Sequence, residues 1–236
     1  MIQTQTRPGL SGNQLKLIAL AAMTCDHVGM VFFPRITVLR IIGRLAFPIF
    51  AYMIAEGCHH TKNRQKYLLS MVAVALVCQV VYWVAMRSLY QCVLVTFSLS
   101  IGLIYLLDRA LQKEQRIHCL PVMLGFFAAY FLCEVLPDLL AGTDYRIDYG
   151  IWGVMLPVLI YLGRTSGQKL LYFVCGLTLL SFRIGGIQWY SLAAIALIAL
   201  YNGSRGKLRM KYLFYIYYPA HLALIQLLRI LLWKRS

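Results

Sequence analysis

Apolar runs of roughly 15 to 23 residues recur about nine times along this chain, and nothing else in the sequence constrains its fold as strongly. A helix needs about 20 such residues to cross ~30 Å of hydrocarbon at about 1.5 Å per residue. The runs cover approximately 15–33, 36–58, 67–86, 91–108, 118–137, 148–163, 168–183, 187–202 and 211–233. The sixth to eighth are short, so eight or ten spans also fit. Connections of about a dozen residues at most leave no room for a soluble domain. The expected architecture is therefore all-α: a short polar segment over residues 1–14, then a single transmembrane domain over 15–236, a polytopic bundle of about nine membrane helices. A composition of 61% hydrophobic and 13% charged residues lies outside the soluble range and agrees with an integral membrane protein.

A net charge of +15 raises the question of nucleic acid. A nucleic-acid surface gathers its cations on one folded face, interleaved with stacking groups. Here they sit in short loops between apolar runs, so membrane topology explains them and no nucleic-acid partner is expected; membrane lipid is. With the N-terminus cytoplasmic, the inner side collects fourteen: Arg7, Lys16, Lys62, Arg64, Lys66, Arg109, Lys113, Arg116, Arg164, Lys169, Arg205, Lys207, Arg209 and Lys211. The outer side receives seven: Arg35, Arg40, Arg87, Arg146, Arg183, Lys234 and Arg235. That excess predicts an inward N-terminus. The seven cysteines lie mostly within apolar runs without C-x-x-C spacing and read as core residues, and no metal site is expected, since Cys58, His59 and His60 are consecutive and cannot all face one ion. The first apolar run carries Asp26 and His27, which no signal peptide needs, so it reads as a retained first span.

Ionisable residues inside such runs cost a few kcal/mol on insertion scales and so face protein or water. Asp26 and His27 stand in the middle of KLIALAAMTCDHVGMV, Arg44 in the second run, His221 in the ninth, with Glu56 and Asp148 near run ends. Asp26 and His27 are about 100° apart round a helix, so Asp26 is expected to pair with Arg44 or His221 from another span. Pro48 and Pro219 withdraw the donors for the carbonyls of Arg44 and Tyr215, predicting helix interruptions beside buried ionisable groups. Glu56 is expected to pair with Lys62 or Arg64.

LKLIALAAMTCDHVG, then LRIIGRLAFPIFAYMIAEG with HTKNRQKYLL, then DYGIWGVMLPVLIY and FYIYYPAHLALI resemble the successive motifs of the TraX family, whose name-giving member is the conjugative-pilin acetyltransferase. The resemblance implies a multi-pass protein of the bacterial cytoplasmic (inner) membrane that uses acetyl-CoA to acetylate the N-terminal amine of a pilin. Its motif positions here are Asp26, His27, Gly43, Arg44, Phe47, Pro48, Asp148, Tyr149, Gly150 and His221. Many chains of the family occur outside conjugation systems, so the acceptor stays open: a peptide, a glycan or a small molecule. A second, partial resemblance is to membrane acyltransferases that modify surface glycans, which carry a basic residue ten positions before a histidine in the first span. Lys16 precedes His27 with ten residues between, which puts both on one helix face about 16 Å apart.

Acetyl transfer needs a base for the acceptor proton and a positive group for the oxyanion. His27 is the first choice for the base, with His221 the second or its partner; Asp26 and Arg44 complete the expected catalytic group. Lys16, Lys62, Arg64 and Lys66 are the candidates for the CoA phosphates, although a basic inner loop also serves topology alone. Asp148, Tyr149 and Tyr218 are candidates for substrate binding. No serine or cysteine sits in a nucleophile motif, so direct transfer is expected. Two rivals stand beside the enzyme: a proton-coupled small-molecule transporter, for which a midplane Asp-His pair also suits, and a non-enzymatic membrane component of a pilus or secretion assembly.

Overall fold

Ser11 sets where the first helix begins. Its side chain accepts from Gln14 N while the Gln14 side chain accepts from Ser11 N at 2.9 Å, a reciprocal cap that starts α1, Gly12–Val31. The computed structural model describes residues 8–112, 119–206 and 211–233. Arg7, Lys113, Arg116, Lys207, Arg209, Lys234 and Arg235, counted in the orientation argument, lie outside the described residues, as do residues 1–7 of the polar segment and the side chain of Lys211. Among the described residues no strand forms; two isolated bridges, Leu10 with Tyr201 and Gln91 with Ile147, tie loops together.

The second apolar run is split. It forms α2, Thr37–Gly43, and α3, Ala46–His60, with Arg44 and Leu45 between them. At the break the ladder tightens: Arg44 N bonds Ile41 O at 3.1 Å and Leu45 N bonds Ile42 O at 3.2 Å. Pro48 sits in the first turn of α3, where its missing N–H costs nothing. α1 and α2 meet at two glycines. A Cβ on Gly29 would stand 2.8 Å from Leu39 Cβ, and one on Gly43 would overlap the Asp26 side chain.

The remaining helices are α4 (Arg64–Met86), α5 (Val93–Gln112), α6 (Cys119–Tyr130), α7 (Leu136–Leu139), α8 (Gly150–Leu162), α9 (Ser166–Ile184), α10 (Ala194–Ala199) and α11 (Lys211–Trp233). A π-helical segment, Phe131–Val135, joins α6 to α7, and a 3₁₀ segment, Gly186–Ala193, leads into α10. Among the described residues, four stretches are long and apolar enough to cross a membrane: Thr37–His60, Arg64–Met86, Val93–Leu111 and Cys119–Leu139. Gly150–Leu162, Gly186–Ala199 and Ile216–Leu232 are apolar and shorter. The eighth expected span is thus a 3₁₀ piece followed by a short α-helix. Contrary to expectation, α11 runs through Pro219 as one helix, the ring being accommodated without a break.

The core lies between α3, α5 and α8, where Ile49, Ala51, Ala55, Ile101, Ile104, Leu156 and Ile160 are fully buried. α4 and α6 stand at the rim with Val84, Met123 and Phe127 turned outward, a surface suited to lipid. At one end of the bundle the backbone of Leu10 bonds Leu200 and Asn202, and Gly12 N bonds Ser204 O at 2.8 Å. Lys169 reaches Glu56 there at 2.5 Å, and Arg64 pairs with Asp108. At the other end Gln91 N bonds Arg146 O at 2.9 Å and Asp148 N bonds Gln91 O at 3.0 Å. Asp144 accepts from the Ser88 hydroxyl at 2.5 Å and from Leu89 N at 2.8 Å; the Ser88 bond first, then the backbone bond, holds its carboxyl below the usual range.

Gly43→Ala forces apart the tightest approach of α1 and α2. It is expected to lower stability by about 1–3 kcal/mol, read as a reduced unfolding temperature of the detergent-purified protein, with Gly102→Ala, inside α5 where a Cβ meets nothing within 4 Å, as a control that is unchanged or slightly stabilised.

Candidate functional site

Neighbouring residues on α1 send their side chains to different helices. Asp26 faces α2 and the break after it. Its Oδ1 receives Arg44 Nη2 at 2.6 Å, and its Oδ2 receives Arg40 Nη1 at 3.3 Å. Arg44 Nε also donates to Arg40 O at 3.3 Å, which anchors the guanidinium to the end of α2. The Asp26 and Arg44 side chains are 16% and 14% exposed, so this is a mostly desolvated pair with a second cation at its edge. Arg44 also lies within electrostatic reach of Tyr149 and Asp148.

Asp148 and Tyr149 come from the turn that opens α8. Thr96 donates to Asp148 O at 2.6 Å. Tyr149 has φ 61°, the left-handed region, and stacks on Phe47 with centroids 3.8 Å apart. Glu134, in the π-helical segment, accepts from Ile151 N at 3.1 Å and so caps α8 at this turn. Single π turns inside helices frequently accompany functional sites, because they re-aim a side chain without ending the helix.

His27 faces α11. Its Nδ1 lies 2.9 Å from His221 Nε2, and His221 Nδ1 lies 3.0 Å from the carbonyl oxygen of Tyr217. The Tyr217 ring is stacked on His221 at 5.3 Å, and Tyr218 meets it edge-on at 5.4 Å. Thr24, one turn before His27, shares a hydrogen bond of 2.7 Å with the Tyr217 hydroxyl. Two residues of α1 thus engage two of α11, and the imidazoles belong to that registration.

A cavity of about 530 Å³ reaches as far as Tyr218; His27, His221, Asp26 and Arg44 do not line it. Lys16, Lys62 and Arg205 line it together with the Glu56 carboxylate, and Leu20, Phe97 and Tyr218 line it as well. Tyr218 is therefore shared: it borders the cavity and packs on His221.

Asp26, Arg44, His27 and His221 are brought together, as two adjoining pairs, and Asp148 and Tyr149 stand beside the first. Of the candidates for phosphate binding, Lys16 and Lys62 line the cavity and Arg64 and Lys66 do not; Arg64 is held by Asp108 and lies over the Tyr105 ring. Glu56 does not pair with Lys62 or Arg64. It bonds Lys169 at 2.5 Å, Tyr201 at 3.5 Å and His60 at 3.5 Å, because α9 passes beside α3 at that level. Three participants were not anticipated. Arg40 precedes Arg44 by one turn, a spacing that does signal a shared face; Glu134 is a carboxyl inside the apolar run 118–137 and so carried the same signal as Asp26, whereas Arg205 carries no local signal. Among the described residues, no group of three or more His, Cys, Asp or Glu side chains is placed to hold a metal.

Comparison with known proteins gives a consistent result. A family model described as "TraX protein" matches residues 11–229. The chain is 29% identical over 244 aligned positions to the probable fimbrial assembly protein FimC, serogroup H1, of Dichelobacter nodosus, covering 91% of this chain and 94% of that protein. It is 50% identical over 38 residues to the uncharacterized protein RP591 of Rickettsia prowazekii (strain Madrid E), 16% of this chain and 15% of that one. No solved structure matches.

Breaking the Asp26–Arg44 pair leaves the carboxylate with Arg40 alone, at 3.3 Å. Arg44→Met is expected to cost about 1.5–3 kcal/mol, while Asp26→Asn combined with Arg44→Met costs less than the sum of the two single changes; thermal unfolding of the four proteins in one detergent measures the difference.

Proposed function

The chain belongs to the TraX family, and on that footing we propose that it is a membrane-embedded acyltransferase that moves an acetyl group from cytoplasmic acetyl-CoA to an acceptor at the bacterial inner membrane. The favoured acceptor is an amine such as a pilin-like N-terminus, ahead of a hydroxyl. One observation carries the reading: the cavity joins three cations, Lys16, Lys62 and Arg205, to the residue that packs on the His27–His221 pair. CoA is an anion at one end and a thioester at the other, joined by a long thin arm. Cations at the mouth suit its phosphates, and an imidazole at depth suits the proton that acetyl transfer releases. The separation along α1 from Lys16 to His27, about 16 Å, is of the order that such an arm spans.

In this reading His27 takes the proton of the neutral amine as its nitrogen attacks the thioester carbonyl. The C–N bond forms, the C–S bond breaks with its electron pair left on sulfur, and the imidazolium returns the proton to the CoA thiolate. The guanidinium of Arg44, held by Asp26 within reach of Asp148 and Tyr149, supplies positive potential for the oxyanion. The topology that fits has about nine crossings with the N-terminus cytoplasmic, since Lys62, Arg64, Lys169 and Arg205 then share the inner side.

A second reading has a specific basis. The printed name of the Dichelobacter relative is that of a fimbrial assembly protein, and a non-enzymatic role in pilus assembly accords with it equally.

Membranes containing the protein, incubated with isotopically labelled acetyl-CoA, are expected to transfer label to an endogenous acceptor identifiable by mass spectrometry. His27→Ala is expected to reduce turnover by about 10²-fold or more with the protein still inserted. Lys62→Ala combined with Arg205→Ala is expected to raise the KM for acetyl-CoA with little change in kcat, because those cations bind ground state and transition state alike. Absence of any labelled product from wild-type membranes supplied with pilin would favour the assembly role.

A further inference from the structure

A backbone carbonyl accepts hydrogen bonds and never donates, and that fact assigns protons along the His221–His27 pair. The oxygen of Tyr217 lies 3.0 Å from His221 Nδ1, so this nitrogen carries the proton. Neutral imidazole has one N–H, and His221 Nε2 therefore presents a lone pair. Facing it at 2.9 Å is His27 Nδ1, which must be the donor. In the neutral form of His27 its one N–H is thereby used at Nδ1, and Nε2 carries the lone pair.

Neutrality of His221 follows from its setting. Its surface is 7% exposed, and a charge there would need a carboxylate to compensate it. Asp26, one residue from His27, is already clasped by Arg40 and Arg44, so the cations beside the pair outnumber that carboxylate. Tyr217 and Tyr218, the other groups against His221, are phenols.

Resting on the acetyl-transfer reading, we propose that His221 is a positioning residue. Through the Tyr217 carbonyl it holds His27 in the tautomer protonated at Nδ1, and His27 Nε2 is the atom that accepts the proton of the attacking amine. The arrangement places an imidazole where hydrolytic triads place a carboxylate. When Nε2 of His27 is protonated, its Nδ1–H becomes a charge-assisted donor to His221 Nε2, and the bond strengthens as charge develops. A neutral acceptor does this without placing an anion beside the imidazole pair. Rotation of the His221 ring would give up both hydrogen bonds, and the stacked Tyr217, whose hydroxyl is fixed by Thr24 at 2.7 Å, opposes it. Tyr217 and His221 stand at i and i+4 of α11, so the carbonyl that orients the ring and the ring itself belong to one helical turn.

The test uses full-length protein in lipid nanodiscs with nitrogen-15 in its histidines, as wild type, His221→Leu and His221→Gln, with His27→Ala to assign the His27 signals. Nitrogen chemical shifts report which ring nitrogen carries hydrogen, independently of turnover. The wild type is expected to show His27 protonated at Nδ1 and bare at Nε2. His221→Leu removes the acceptor, so the Nε2–H form of His27 is expected to appear and kcat to fall about 10²-fold, with the KM for acetyl-CoA changed by less than about threefold. The amide oxygen of Gln can accept from Nδ1–H, so His221→Gln is expected to restore the tautomer and to recover kcat to within about tenfold of wild type. Wild-type His27 protonated at Nε2 overturns the proposal, whatever the activity. So does His221→Leu with an altered tautomer and undiminished kcat, or His221→Gln with a wild-type tautomer and the kcat of the Leu variant. If wild type transfers no acetyl group while its His27 is protonated at Nδ1, the acetyl-transfer reading fails and the proton assignment stands.

Discussion

A carboxylate inside an apolar bundle has to be neutralised where it stands, and the ion pair of Asp26 with Arg44 organises the surrounding fold. The pair demands that a guanidinium reach α1 from the second apolar run. Arg44 does so from the break between α2 and α3, where the backbone ladder tightens and the chain turns. It demands also that α1 and α2 approach closely, and Gly43, which has no Cβ to collide with Asp26, allows this. The sequence Gly-Arg thus gives access and charge in two consecutive residues. Arg40, one turn earlier, adds a second donor from the same helix face.

Because Asp26 and His27 are adjacent, α1 separates an ionic pair from an imidazole pair with no intervening helix. The ionic side carries two guanidinium groups against the one carboxylate that bonds them both. The imidazole side is bonded to a backbone carbonyl and bordered by phenols. On the acetyl-transfer reading the base stands on the second side, where no carboxylate bonds it, and the stabiliser of negative charge on the first, since preorganised charge of this kind acts most strongly where water is scarce.

The residues of this centre were legible because they break the rule of the runs that contain them: an ionisable group in hydrocarbon is expensive, so Asp26, His27, Arg44 and His221 announce themselves. Pairing was legible where helical geometry decides it, as in the divergence of Asp26 from His27. It was not legible where partners lie far apart in sequence. Glu56 bonds Lys169, 113 positions later, and local charge patterning pointed instead to Lys62 and Arg64. The π turn that aims Glu134 at α8 and the 3₁₀ segment at Gly186–Ala193 are backbone adjustments to packing, and apolar periodicity carries no trace of either. The cavity is a product of packing as well. Its Lys16 and Lys62 were visible as charges, whereas Arg205 gains its place only because the loop at 200–205 is laced to the start of α1.

Tyr218 connects the parts that chemistry would have to join. It borders the cavity on one side and touches His221 on the other, and it is 6% exposed. A phenol at that boundary offers a neutral hydrogen-bond donor to a carbonyl group arriving through the cavity, without adding charge to an apolar wall. On the acetyl-transfer reading the thioester then halts against Tyr218 with the imidazole pair directly beyond it.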